Sequence, residues 1–468
     1  MSLFNIGLSG LNAANAGLSV AAHNTTNSLT PGYSRQRITF GSEVSGGNYG
    51  SGVKVTDIER MSDNYLNLQI QNQRSGFGFQ EVTSQLLIKS EHLLTNESTS
   101  LSVGLDRFYS SLNEASAKPQ DLAYRQTMIS QSEALVHRFN NFSSQLESQK
   151  KQVDGQLNAS VTEVNTLLSS IASINKTLKD SNGKENEMSS LLDSRDEHLA
   201  KLSSMMDIKT SYNNDGTVNV NLGKGQPLIN GSNASYLSKD DNGNLELSRG
   251  KNKYPLNEDV GGKLGGYISY RDNELKDLSY KLDVMAYGFA KQFNEQHKKG
   301  YDLSGNSGTD FFGGVDKIEG AAKSISVAIK DPEKLAFSSS KDEPGNSENL
   351  QSMIELKNSS LSIDKGSLNK IESEMYGDTI NSMDGKSLYN IYTGLSGDWA
   401  IKTSQSKSDL SASSELLKHA QSERDSLSGV NLDEEAINIM TYTQMYQANS
   451  KIISTAQQLL DITMNMFN

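Results

Sequence analysis

The chain has 468 residues, 35% of them hydrophobic, with 38 Gly, 6 Pro, one Trp and no Cys. Without thiols it can form no disulfide, thiolate zinc site, iron–sulfur cluster or Cys nucleophile. Lys and Arg number 44 against 56 Asp and Glu, a formal net charge of −12. No basic block interrupts the chain, which argues against a nucleic-acid partner, because phosphate binding needs clustered cations.

The elements are read here in chain order. From Met1 to Ser34 no Asp, Glu, Lys or Arg occurs, and the first is Arg35. Phe4, Leu8, Leu11, Leu18, Ala22 and Leu29 follow alternating steps of four and three, with Asn15 and Thr25 in the two missing places. That is a heptad-type stripe, although its Gly and Asn content makes a weak helix in isolation. The stretch lacks the basic start of a cleaved secretory signal, and Asn5, Asn12 and Asn15 break its apolar run. No other apolar run approaches the roughly 18–20 residues of a membrane span. Pro31 and Gly32 suit the two central positions of a type II turn, where Pro fixes φ and Gly supplies a positive one.

The Gly-rich alternation from Arg37 to Thr56 predicts a hairpin or extended arm. Helical patterns then dominate from about Asn64 to Met206. The longest, about Leu122 to Lys179, carries a stripe at Leu135, Phe139, Phe142, Leu146, Gln149, Val153, Leu157, Ser160, Val164, Leu167, Ile171, Ile174 and Leu178. Two steps of four meet at Gln149, Val153 and Leu157, around Gly155. Either a stutter in a continuous helix or a helix-hairpin break would produce that pattern. Asp207 to Val260 changes texture, with short alternating runs at Thr217–Leu222 and Asn244–Leu247 and turn signals at Asn213–Gly216 and Asp241–Asn244. These predict a small antiparallel β module. Helix returns at Asn273–Lys298, then loops and short strands such as Ser324–Ile329, then helix to the end apart from loops near Gly377–Gly397.

At the C-terminal end Leu432, Ile439, Tyr446, Ile453, Leu460 and Phe467 recur every seven residues, widened by Met445, Ile452, Leu459 and Met466 one place earlier. Asp433, Glu434 and Glu435 occupy the expected first turn, where carboxylates favour the helix dipole. Beyond them the only charges are Lys451 and Asp461. Each terminal stripe needs a partner, and the simplest is the other end of the same chain. Ordinary terminal helices of a bundle would carry more Lys and Glu outside. Their absence points to surfaces covered by further subunits or lining a passage.

A search for chemistry finds none. His23, His92, His137, His198, His297 and His419 are scattered without metal-ligand spacing, and no Gly-x-Ser-x-Gly elbow occurs. Gly385-Lys386-Ser387 imitates a phosphate loop, but Ile380 stands where the first Gly is required. Turns around Gly216 and Gly243 imitate calcium loops, but Ser211 and Leu222, or Ser238 and Arg249, occupy the first and last ligand positions. The pair Asp240 and Asp241 reads as solvated, Arg271-Asp272 as a local ion pair, and Trp399 as a packing residue. No catalytic, cofactor or metal residue is therefore assigned.

Asn24 to Arg37, with its Asn-x-x-Thr-Pro-Gly-Tyr run, taken with the two stripes, resembles the bacterial flagellar axial proteins of rod, hook and hook-associated type. Three further stretches narrow the resemblance to the hook-associated members that form the hook–filament junction. They are Ser428–Ala436 with Tyr446–Ile453, Gly261–Asp272 with Gly300–Gly305 and Asp310–Gly313, and Asp331–Ala336. The resemblance covers nearly the whole chain, which is short for that family.

The expected fold is mainly α with β insertions, in discontinuous nested domains. Residues 1–42 and 430–468 form a coiled-coil assembly domain, and 43–206, 261–300 and 350–429 a helical bundle. Residues 207–260 form a β-rich module and 301–349 a mixed insertion. The resemblance implies a structural protein, extracellular in the flagellum and exported without a cleaved signal. It further implies a helical homo-oligomer whose partners are the hook protein, the second junction protein and a cytoplasmic export chaperone at the C-terminal helix. Leu8, Leu11, Leu18, Ile439, Tyr446, Ile453 and Leu460 are the expected assembly residues, and Pro31 and Gly32 the structural turn. The rival readings are another axial protein, such as the second junction protein or the hook subunit, and, more remotely, a wall-cleaving enzyme.

Overall fold

The computed structural model describes residues 2–43, 52–97, 99–180, 188–240, 243–363 and 370–466. Phe467 of the C-terminal repeat, and Asp241 and Asn242 of the second predicted turn, lie outside the described residues.

The chain opens with α1 (Ser2–Thr26) and an antiparallel hairpin of β1 (Gln36–Glu43) and β2 (Gly52–Arg60). Helices α2 (Asn64–Thr95), α3 (Leu101–Ala117), α4 (Leu122–Asp180) and α5 (Ser189–Met205) follow. The β module comes next. Strands β3 (Ile208–Tyr212), β4 (Val218–Leu222), β5 (Pro227–Asn230) and β6 (Asn233–Ala234) form one antiparallel sheet in sequence order. Strands β7 (Tyr236–Lys239), β8 (Leu245–Arg249) and β9 (Asn252–Pro255) form a second. Helix α6 (Gly262–Ser269) continues through a π-helical turn, Tyr270–Leu275, into α7 (Lys276–His297). The two-residue strands β10 (Phe312–Gly313) and β11 (Ser326–Val327) flank the short α8 (Ala321–Ser324). Helices α9 (Glu348–Glu355), α10 (Lys370–Met383), α11 (Leu388–Ser428) and α12 (Leu432–Met466) complete the chain. The fold is mainly α with small antiparallel sheets, as the patterning implies.

Two compact units result, one of residues 1–79, 160–265 and 411–468, the other of 80–159 and 266–410. Helices α2, α4, α6 and α11 supply residues to both.

In the second unit, large apolar side chains close a dry core. Phe108, Phe289, Phe293, Phe311 and Phe312 form a ring cluster with centroids 4.7–6.2 Å apart. Buried polar groups tie loops to it. Asn294 accepts from the N–H groups of Phe311 and Phe312 at 2.9 and 2.8 Å and donates to the Phe312 carbonyl at 2.8 Å. Arg125 donates to the carbonyls of Pro119, Pro332 and Leu335 and lies 4.3 Å over the Phe337 ring. The Asp310–Gly313 and Asp331–Ala336 stretches are thus held through their backbones by Asn294 and Arg125. Tyr270, in the π-helical turn, shares a 2.5 Å hydrogen bond with Ser90. Arg271 pairs with Asp272 and Asp154. Trp399 is buried, and its indole N–H donates to the Leu87 carbonyl at 3.2 Å.

In the first unit, α4 presents Asn175 and Asn165 to the β module. Asn175 donates to the carbonyls of Val218 and Gly231, both at 2.7 Å, and accepts from the Val218 N–H at 3.0 Å. Asn165 exchanges the same kind of pair with Leu237. Helix α4 runs unbroken for 59 residues, about 88 Å at roughly 1.5 Å per residue. Every position of its predicted stripe is buried, so the stutter reading stands and the hairpin break does not.

Two local expectations need correction. The strand expected over Ser324–Ile329 shrinks to β11, because Ser324 closes α8, its hydroxyl bonded to the Gly320 carbonyl. The loop expected across Gly377–Gly397 is only Asp384–Ser387, since Gly377, Gly394 and Gly397 sit inside α10 and α11 with open space at their Cα positions.

Candidate assembly site at the paired termini

Helix α1 packs antiparallel against α12. Gly7 faces Ile452 and Ile453, Gly10 faces Asn449, and Gly17 faces Tyr442. The face of α1 turned inward is not the leucine stripe. Gly7, Gly10, Ala14, Gly17, Ala21 and Asn24 are buried, on alternating steps of three and four. A Cβ at Gly10 would lie 2.2–2.6 Å from the Asn449 side chain, and one at Gly17 would lie 2.8 Å from the Tyr442 ring. Glycine is needed there so that the larger side chains of α12 can sit against the backbone of α1. On α12 the inward row is Glu435, Asn438, Tyr442, Met445, Asn449, Ile452 and Ala456, all buried or half-buried except where the helix end opens to solvent.

The predicted assembly residues divide accordingly. Leu8 is 46% exposed, and Leu11 and Leu18 are half-buried at the margin of the seam. Ile439 and Ile453 are half-buried on the α12 side, whereas Tyr446 and Leu460 are 45% and 60% exposed. The expectation that the two stripes bury one another therefore needs correction. The small-residue row of α1 takes that role, and the large row is left outside. Leu3, Phe4, Leu459, Leu460 and Met464 line an apolar groove of about 550 Å³ where α1 begins and α12 ends. The inward Gly/Ala row was legible as a period but carried no apolar signal.

The turn after α1 is built from its own motif. Gly32 has φ +80°, and the Tyr33 N–H donates to the Thr30 carbonyl at 3.2 Å, closing the turn around Pro31. Buried Asn24 accepts from the Gln36 N–H and from the Tyr33 hydroxyl and donates to the Gln36 carbonyl, at 2.8–2.9 Å. Burial first, and then the charges of Asp193 and Glu435, push the Tyr33 hydroxyl up to about 12.

Arg35 pairs with Glu435 at 2.8 Å and with Glu434 at 2.6 Å. Burial of Arg35 opposes its charge, but the two carboxylates more than offset this and raise its pKa. The Asn431 side chain accepts from the Asp433 N–H at 2.9 Å at the start of α12. Arg424 donates to the carbonyls of Gly32 and Tyr33 and to the Ser34 hydroxyl, at 3.1–3.4 Å. The hairpin adds Phe40, whose ring meets Tyr442 edge-on at 6.1 Å.

This arrangement has no nucleophile–base pair. Among the described residues no group of three or more His, Asp or Glu could hold a metal ion, and no helix is long and apolar enough to cross a membrane. What the site offers is a closed small-residue seam and open apolar flanks.

Comparison with known proteins gives the same direction. The family model described as "Flagellar hook-associated protein FlgK helical domain" matches residues 87–312, and "Flagellar basal body rod FlgEFG protein C-terminal" matches residues 421–466. Flagellar hook-associated protein 1 of Salmonella typhimurium is 28% identical, aligned over 99% of this chain and 100% of its own. The protein of that name from Bacillus subtilis is 28% identical over 97% and 96%. A solved flagellar hook junction protein, FlgK of Burkholderia pseudomallei, superposes with a TM-score of 0.65 at 15% identity, covering 78% of this chain and all of that one. That likeness concerns the fold. Helical-domain and C-terminal models of flagellar axial proteins thus both match this chain, and the hook-associated protein 1 relatives align with it almost end to end.

Proposed function

We propose that the chain is a structural, self-assembling part of the bacterial flagellum, seated at the distal end of the hook as the junction on which the filament is built. The observation that carries this reading is the inverted burial of the terminal helices. The small residues of α1 close a seam against α12 within the chain, while Leu8, Tyr446 and Leu460 stay exposed on helices almost without charge. Large apolar rows without ionic cover favour burial by neighbours. A contact repeated by rotation and rise then gives an open helical array.

Hook protein and the second junction protein are the expected neighbours along the axis. The row Ile439, Tyr446, Ile453 and Leu460 is the proposed hold of an export chaperone. Export without cleavage fits the role of residues 2–26, since removing them would remove half of the seam. The test is a strain lacking the gene. It should make intact hooks and shed unpolymerised flagellin, and Leu8→Asp should fail to restore filaments. A strain without hooks would move the chain to the hook or rod instead.

A further inference from the structure

Beside the Pro31–Gly32 turn lies a cavity of about 460 Å³, lined among others by Gln71, Arg74, Lys201 and Arg424. Most charges around it are paired. Asp196 is held by Arg60 and Arg195, Glu197 by Lys201, and Asp425 by Arg424. Arg74 is the exception. Its Nε is shut off from solvent and has no hydrogen-bond partner, and no ion pair engages its guanidinium among the described residues. Arg424 cannot help, because it is a like charge committed to the turn backbone. The cation is held below its ordinary pKa by burial first and then by Arg424, with only the Glu197 charge opposing. Arg74 is half-buried, and a guanidinium with no carboxylate paired to it presents a planar fork that matches one.

A second feature adjoins it. A neighbouring cavity of about 690 Å³ shares Pro31, Gly32, Arg424 and Asp425, and on it stands Leu29, which is 93% exposed. A missing anion and an uncovered leucine thus meet at one turn. The occupant must bring a carboxylate and an apolar contact together, which a protein surface does and a free ion does not. This chain carries 12 more acids than bases, so its own surface is a ready donor.

We propose that Arg74 receives an Asp or Glu side chain from a second copy of this chain, with Leu29 covered in the same contact. This rests on the self-assembly reading above. The test is to express Arg74→Gln, Arg74→Lys, Arg74→Glu and Leu8→Asp in the deletion strain and blot purified hook–basal bodies for the chain. Incorporation of Arg74→Gln should fall about tenfold, as for loss of one partner of an interfacial charge pair, and Arg74→Lys should retain part. Arg74→Glu should be rescued by acid-to-base changes within the same gene.

Normal incorporation of Arg74→Gln alongside blocked Leu8→Asp would overturn this inference alone. Normal incorporation of both would overturn the assembly reading itself. A matching drop in the melting temperature of purified Arg74→Gln would make the residue merely structural and overturn the inference. So would rescue confined to genes for other axial proteins. Stabilisation of wild type but not Arg74→Gln by inorganic phosphate, with incorporation unchanged, would show a small-anion site and equally overturn it.

Discussion

The core of the second unit and the terminal pair of the first solve burial in opposite ways. Around Phe108, Phe289, Phe293 and Phe312 the largest side chains point inward and are all but inaccessible. Between α1 and α12 the smallest residues of α1 point inward, while Leu8, Tyr446, Leu460 and Met464 point out. The first region completes its hydrophobic burial within one chain, while the second leaves large apolar side chains exposed. Stability of the monomer and competence for assembly should therefore respond to different residues.

The largest effect should come from the aromatic core. Phe293→Ala removes a ring that touches four others and should cost about 3–5 kcal/mol in denaturant unfolding. A loss below about 1 kcal/mol would mean that the cluster is loosely packed.

Next comes pH. His297 is buried, its Nδ1 directed at the Thr309 carbonyl at 2.7 Å while its Nε2 accepts from the Ala336 N–H at 3.0 Å, so it is needed neutral. Burial first of all lowers its pKa from 6.5 to about 4, against the Thr309 carbonyl, which favours the proton. The unfolded imidazole thus takes up a proton below about 6.5 that the folded one refuses until about 4. Its contribution is whole above that window and falls away as pH drops through it, on the order of 3 kcal/mol in total. Urea midpoints of wild type and His297→Gln should converge between pH 7.5 and 4.5. Parallel profiles would remove His297 as the cause.

Gly17→Leu should act on the seam. The added side chain meets the Tyr442 ring, and prising the helices apart should cost about 1–3 kcal/mol. Hydrogen exchange should quicken in α1 and α12 and stay unchanged in α7. Uniform quickening would deny the two regions their independence. The smallest effect on the monomer is expected from Leu8→Asp, within about 0.5 kcal/mol, although filaments are lost. A large destabilisation by that variant would place Leu8 in the intrachain core.

Much of the fold was legible in advance. The α4 stripe held through its two consecutive steps of four because a continuous helix can absorb a stutter by local unwinding. The β module was legible from turn chemistry, with Gly216 at φ +78° where the alternating runs meet. Gly377, Gly394 and Gly397 misled because propensity is a weak prior that packing overrides. Arg74 gave no sign in the sequence, since an unpaired guanidinium is defined by what fails to surround it.

The sequence by itself determined that both ends are helical, nearly uncharged and periodic, because spacing and composition are properties of one strand of chain. It also carried two heptad rows on α1, a large one through Leu8, Leu11 and Leu18 and a small one through Gly7, Gly10, Ala14 and Gly17. Which row turned inward was decided only by tertiary structure. Tyr442, Asn449 and Ile453 of α12 fit against bare backbone at the glycines, and two large rows facing one another would hold the helices further apart. The close approach therefore buries the small row of α1 inside the chain and leaves the large one at its margin and surface.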